Sequence, residues 1–208
     1  MADLKESDEK FPRRAQKKRE TRDKIVSAAR QLFQTRGYES ATMAEIAEAA
    51  DVHVTTMFTH FKTKRDLANA LAEVHVERLQ TLISNASGSV PFFDFFRTMV
   101  GGWASLIQKG AKQSTDYGYD LRSNPELSFI WLRRHQSEIS LYANYFAKDY
   151  GLDINRDPLP YLVANMLTSA NVLAHDRWLD SKGKTNLRKE ALHSINVCQA
   201  MVESYLKR

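Results

Sequence analysis

Apolar residues recur at helical spacing along nearly the whole chain. Ile25, Ala29, Leu32 and Phe33 share one face of a helix predicted from Thr21 to Arg36, with Gly37 just beyond its end as a left-handed cap. Thr42 opens a second helix, and Glu45 three residues later completes a capping box. Met43, Ile46, Ala47 and Ala50 give that helix its buried face until Asp51 and Val52 interrupt it. A third short helix, His53 to His60, turns Val52, Met57 and Phe61 inward. A fourth runs from Lys64 through Leu67, Leu71, Val74 and Leu82 to about Ala86, where "NASGS" ends it.

Further on, Pro91 begins a helix that is apolar nearly all round, as expected of a central element. "GAKQSTDYGYDLRS" reads as a short helix or a loop. Asn124-Pro125-Glu126 is a strong helix start and Gly151 its stop; Asp157-Pro158 repeats the same grammar for a helix reaching about Asp180. Thr185 is expected to cap a last helix carrying Leu187, Ala191, Ile195, Cys198, Val202 and Tyr205. The pattern comes to about nine helices, with strand signals nearly absent and no internal repeat. The fold class is all-α.

A helix of two turns is not stable alone in water, because nucleation is unfavourable, so the second and third helices must dock on a neighbour. Leu32 and Phe33, Ile46 and Ala47, and Met57 and Phe61 supply one small shared core. Three short helices with a tight turn between the second and third form a helix-turn-helix, whose third helix enters the DNA major groove. His53, Val54, Thr55, Thr56 and Thr59 then point outward: short side chains that let the backbone approach, hydroxyls for phosphates or base edges, methyls for thymine. His60, Lys62 and Lys64 are candidates for holding phosphates. Thr42 is first a cap and second a phosphate contact; His53 caps its helix or meets a base. Phe58 can pack but cannot hydrogen-bond a phosphate.

Charge strengthens this picture. The net charge is +5, yet residues 10–36 alone carry +8, leaving −3 for the rest, an asymmetry that suits a polyanionic partner at one end. Arg13, Arg14, Lys17, Lys18, Arg19 and Arg22 are expected to form a basic arm reaching the minor groove or the DNA backbone. The organisation expected is a flexible arm over 1–20, a helix-turn-helix domain over 21–66, and a larger helical domain over 67–208.

"IVSAARQLFQTRGYESATMAEIAEAADVHVTTMFTHFKTKRDLANAL" resembles the N-terminal domain of the TetR family of bacterial transcriptional regulators. By the resemblance, Thr42, Thr56, Phe58, Thr59 and Lys64 fall where the family usually contacts phosphates, and His53 to Thr55 where it reads bases. The sequence departs from the family pattern at Asp51, where a turn glycine is common, and at Phe58, where a phosphate-binding tyrosine is frequent. The resemblance further implies a homodimer through the last two helices, a pseudopalindromic double-stranded operator, and repression relieved by a small effector. The helix over 64–86 would be the lever between the domains.

The aromatics suggest a largely apolar effector pocket, with Phe96, Trp103, Tyr117, Trp131, His135 and Asn171 as candidate lining residues. No cofactor or metal is called for, since GxSxG, phosphate-loop, HExxH and Cys/His metal spacings are absent, and an enzyme is not expected. The single cysteine, Cys198, lies in an apolar stretch and is expected in the core. With no long apolar run and a mean hydropathy of −0.47, no membrane span is expected, and the protein is read as cytoplasmic. The alternative is a helical scaffold or binding protein without specific DNA recognition, whose basic front only solubilises it.

Overall fold

The first helix, α1, spans Pro12–Arg36 and so begins well before the expected Thr21. This computed structural model describes residues 12–110 and 124–207. The stretch "RRAQKKRE", expected as a flexible arm, is built of good helix formers. Its turns are tied locally: Gln16 Nε2 donates to Glu20 Oε1 at 2.9 Å and Thr21 Oγ1 to the Lys17 carbonyl at 2.9 Å. Ala15 is buried. The arm is therefore helical from Pro12 onward.

After α1 come α2 (Met43–Ala49), α3 (Val54–His60), α4 (Lys64–Ala86), α5 (Phe92–Lys109), α6 (Pro125–Tyr150), α7 (Leu159–Asp180) and α8 (Leu187–Leu206), with no strand among the described residues. The helices divide into two compact units between Leu71 and Ala72. That division falls inside α4, a little beyond the expected boundary at 66, so one continuous helix contributes residues to both units.

In the first unit Ile25, Ala29 and Phe33 of α1, Tyr38 of the following loop, Ile46 and Ala47 of α2, Met57 of α3 and Leu67 of α4 are each at most 1% exposed. Phe33 and Tyr38 meet edge to face at 5.2 Å. Gly37, at φ 81°, ends α1 as the sequence predicts, its N–H donating to the Phe33 carbonyl.

The second unit is built around α5. Phe92, Phe93 and Phe96 interlock with Tyr142, Tyr145 and Phe146 of α6 at centroid distances of 4.9–6.2 Å. Pro91 offers no side-chain cap, and Asp149 of α6 takes over, accepting from the Phe92 N–H at 2.9 Å. Tyr145 donates to the Val90 carbonyl at 2.6 Å, which fixes the approach to α5. α8 packs on both α5 and α7, and α7 on α6.

Asn124 caps α6 ahead of Pro125, and Gly151 closes it at φ 65°, as expected. The last cap differs: Asn186, not Thr185, accepts from the Lys189 N–H at 2.9 Å, while Thr185 is engaged by Ser181. Cys198 is buried in the core, and burial pushes its thiol up to about 11, which keeps it protonated and inert at neutral pH. No helix among the described residues is long and apolar enough to cross a membrane.

Candidate nucleic-acid interface

The turn between α2 and α3 decides whether a helix-turn-helix can form, and here it lacks the usual glycine. Asp51 itself takes the left-handed conformation, φ 53°. The Val52 N–H reaches the Ala47 carbonyl at 3.0 Å and the Asp51 N–H the Glu48 carbonyl at 3.0 Å, the paired bonds of a Schellman ending. A short polar side chain tolerates that conformation better than most, so the turn is made at a modest conformational cost.

α2 is held at its start by the predicted capping box. Thr42 Oγ1 accepts from the Glu45 N–H at 3.2 Å and Glu45 Oε2 accepts from the Thr42 N–H at 2.9 Å. Arg36 adds an ion pair to Glu45 at 2.7 Å. The two bonds from Thr42, aided by Arg36, hold the Glu45 carboxyl below its usual range. Thr42 is thus exposed, but its hydroxyl already serves the helix.

α3 anchors through Met57, fully buried, with Phe61 behind it. Its other side faces out: His53, Val54, Thr55, Phe58 and Thr59 are exposed, and Thr56 is half-buried. His53 caps the helix, its Nδ1 accepting from the Thr55 N–H at 3.3 Å and lying 2.8 Å from Thr55 Oγ1. Thr59 Oγ1 donates to the Thr55 carbonyl at 2.9 Å. These bonds hold the hydroxyls in fixed orientations with their remaining acceptor capacity toward solvent. Val54 and Phe58, 41% and 40% exposed, supply an apolar component to the same face.

Lys64, a candidate phosphate contact, is engaged within the protein. Its ammonium donates to the Tyr38 carbonyl at 2.8 Å and the Glu39 carbonyl at 3.0 Å and lies 4.7 Å from the centre of the Tyr38 ring. It ties the loop after α1 to the start of α4. The basic residues of α1 belong to the same unit. Arg13, Arg14, Lys17, Lys18 and Arg19 are exposed, and Arg22 lies 5.4 Å from the Phe61 ring centre. His60 is half-buried; desolvation, with the charges of Lys18 and Arg22, holds its imidazole below the usual range.

The candidate effector residues lie in the second unit. Phe96 is 1% exposed between Phe92 and Tyr142 and is core. Trp103 meets His175 edge to face at 5.2 Å, and Trp131 stacks on His135 at 4.9 Å. Asn171 lies one turn before His175 on α7. Tyr117 lies outside the described residues. Sequence reasoning missed Glu138, which pairs with His75 of α4 at 2.8 Å and with Arg134 at 3.2 Å. Burial alone would raise its carboxyl, but His75 and Arg134 hold it below the usual range. The Arg134–Glu138 spacing of four was the only sequence signal for that cluster.

Residues 25–71, the span that builds this interface, match the family model of the bacterial regulatory proteins of the tetR family. Among curated relatives, the HTH-type transcriptional regulator TcmR of Streptomyces glaucescens is 26% identical over 175 residues, covering 79% of this chain and 76% of that protein. The chain carries a DNA-binding domain of the TetR family over residues 25–71. It is a DNA-binding transcriptional regulator and not an enzyme. Solved structures of other TetR-family proteins share the fold over most of their length. A transcriptional regulator from Mesorhizobium loti aligns with a TM-score of 0.65 at 18% identity, over 88% of this chain and 97% of that one. FadR of Thermus thermophilus, in complex with lauroyl-CoA, aligns with a TM-score of 0.61 at 19% identity, over 86% and 93%. At these identities the likeness is one of fold.

Proposed function

We propose that this TetR-family protein is a cytoplasmic homodimeric repressor, released from a palindromic operator by a small, largely apolar effector. The observation that carries the reading is the exposed face of α3, where His53, Val54, Thr55 and Thr59 stand outward from a helix anchored by a fully buried Met57. His53 to Thr55 at the start of α3 would meet base edges, while Thr42, Thr56, Phe58 and Thr59 would lie against the backbone.

Dimerisation is supported by apolar side chains left in solvent on the last two helices. Leu162 and Leu173 on α7 and Val197, Met201 and Tyr205 on α8 are 47–61% exposed, and the α8 trio recurs every four residues as one stripe. Paired with the same stripe of a second copy across a two-fold axis, they would be covered. The aromatic second unit, and the lauroyl-CoA held by the fold relative FadR, support an effector with an apolar body. An effector preferring one arrangement of α4 would shift the population away from the spacing that fits successive major grooves.

Electrophoretic mobility shift with the DNA upstream of its own gene tests the reading. Sequence-selective retardation that weakens with salt is expected, and it should be reversed by an apolar ligand found by thermal shift. Absence of retardation at low salt would support a helical scaffold instead.

A further inference from the structure

The buried stripe of α4 carries one titratable side chain. Leu71, His75, Leu79 and Ile83 follow at four-residue intervals and share a face of the helix, and the three apolar members are buried. Leu79 and Ile83 belong to the core of the second unit. His75 stands one turn beyond the division between Leu71 and Ala72 and is half-exposed. Its Nε2 lies 2.8 Å from Glu138 Oε1, so the imidazole ties α4 to α6.

The groups around that tie hold fixed charges at neutral pH. Arg134 Nε lies 3.2 Å from the same carboxylate oxygen, and His135 Nδ1 lies 4.0 Å from the other. Burial raises the Glu138 carboxyl, but the His75 hydrogen bond and the Arg134 charge outweigh it, and the group stays ionised. Desolvation holds the His135 imidazole low against the pull of Glu138, so it is neutral at pH 7. Burial raises the Tyr142 phenol, which also feels Glu138 and keeps its proton. Arg134 is always charged. On α4 itself the residues one turn from His75 are Leu71, Ala72, Arg78 and Leu79. Histidine changes charge between about pH 5 and 8, and His75 is the most exposed of the four side chains joined by these ion pairs.

We propose that His75 and Glu138 form a proton-operated latch: with a proton, His75 fastens the second-unit half of α4 to α6, and on losing it that half is released. A protonated imidazole donates a charge-assisted bond to the carboxylate, roughly twice as strong as a neutral one. The tie is therefore strongest at the acid end of the window and is lost as pH rises through it. Its consequence rests on the regulator reading. α4 also supplies residues to the DNA-binding unit, so a released α4 must be ordered again when DNA fixes that unit, which lowers affinity.

Hydrogen exchange of the full chain over residues 72–83, compared between chains at one pH so that intrinsic rates cancel, reads the latch. At pH 6 His75→Gln exchanges faster than wild type by about two- to fivefold, the range of a half-exposed ion pair, and at pH 8 the two converge. Glu138→Gln loses the same protection although Glu138 does not itself titrate there, and His75→Lys keeps it at both pH values. Circular dichroism checks each fold. Fluorescence anisotropy on a duplex selected from a randomised pool reads the consequence: wild type gains more affinity from pH 8 to pH 6 than His75→Gln. Other histidines contribute equally to each chain, so the difference belongs to His75.

Equal exchange of wild type and His75→Gln at pH 6 overturns the latch. So does a difference that persists unchanged at pH 8, which would mark a merely structural contact. The expected exchange with identical pH profiles of affinity overturns its role in DNA binding. A wild-type chain that binds no duplex at either pH overturns the regulator reading, while the exchange result still decides whether the latch exists.

Discussion

Lys64→Met separates a structural lysine from a DNA-contacting one. The ammonium makes two hydrogen bonds to loop carbonyls 25 and 26 residues away and faces the Tyr38 ring. Hydrogen bonds to a charged group contribute roughly 1.5–3 kcal/mol each, and an exposed cation–π contact roughly 0.5–1 kcal/mol. Lys64 is half-exposed, so water replaces part of what is lost, and the methionine stem keeps most of the packing. The expected cost is about 2–3 kcal/mol, which in a chain of this size lowers the thermal midpoint by about 4–12 °C. Differential scanning fluorimetry reads the midpoint, and anisotropy at several salt concentrations reads the phosphate count. The slope should be unchanged, because the ammonium is already engaged by two backbone carbonyls. A variant with an unchanged midpoint and a slope reduced by about 0.9 would show that Lys64 holds a phosphate and refute the reasoning.

Three further outcomes follow from the geometry. Asp51→Gly relieves the left-handed backbone and, set against the greater freedom of an unfolded glycine, should stabilise the first unit by about 0.5–1 kcal/mol in urea unfolding. Glu45 has a carboxyl held below its ordinary value of 4.5, so the stability it contributes is present above that value and lost as pH falls through the folded one. Glu45→Gln should therefore flatten the acid limb of the stability–pH curve below about 4.5. Met201→Glu places a charge in the exposed stripe of α8; if that stripe seals the proposed dimer, light scattering should read monomers with helix content intact.

Local grammar was legible in the sequence wherever a bond spans only a few residues. Thr42 with Glu45, Gly37, Asn124-Pro125 and Gly151 mark helix ends because a cap needs only its immediate neighbours. The inward positions Met57 and Ile46 followed from period alone. What could not be read depends on distance or on competing signals. The destination of a long, flexible lysine across 26 residues is set by where the Tyr38 loop arrives, which no local pattern encodes. The charge of residues 12–20 suggests an arm, but the same residues have high helix propensity and are helical. Thr185 and Asn186 are adjacent capping residues, and only the position of Ser181, which engages Thr185, selects the second. Phe96 was a candidate for ligand and is core, since helical spacing describes both equally well.

Selection of bound duplexes from a randomised DNA pool, using the wild-type chain at physiological salt, asks whether the exposed edge of α3 reads bases. The expected result is enrichment of one inverted repeat whose half-sites lie about one helical turn apart, with Thr55→Ala shifting the preferred base within each half-site. A pool that remains random while still being retained would show binding by charge alone and contradict the account.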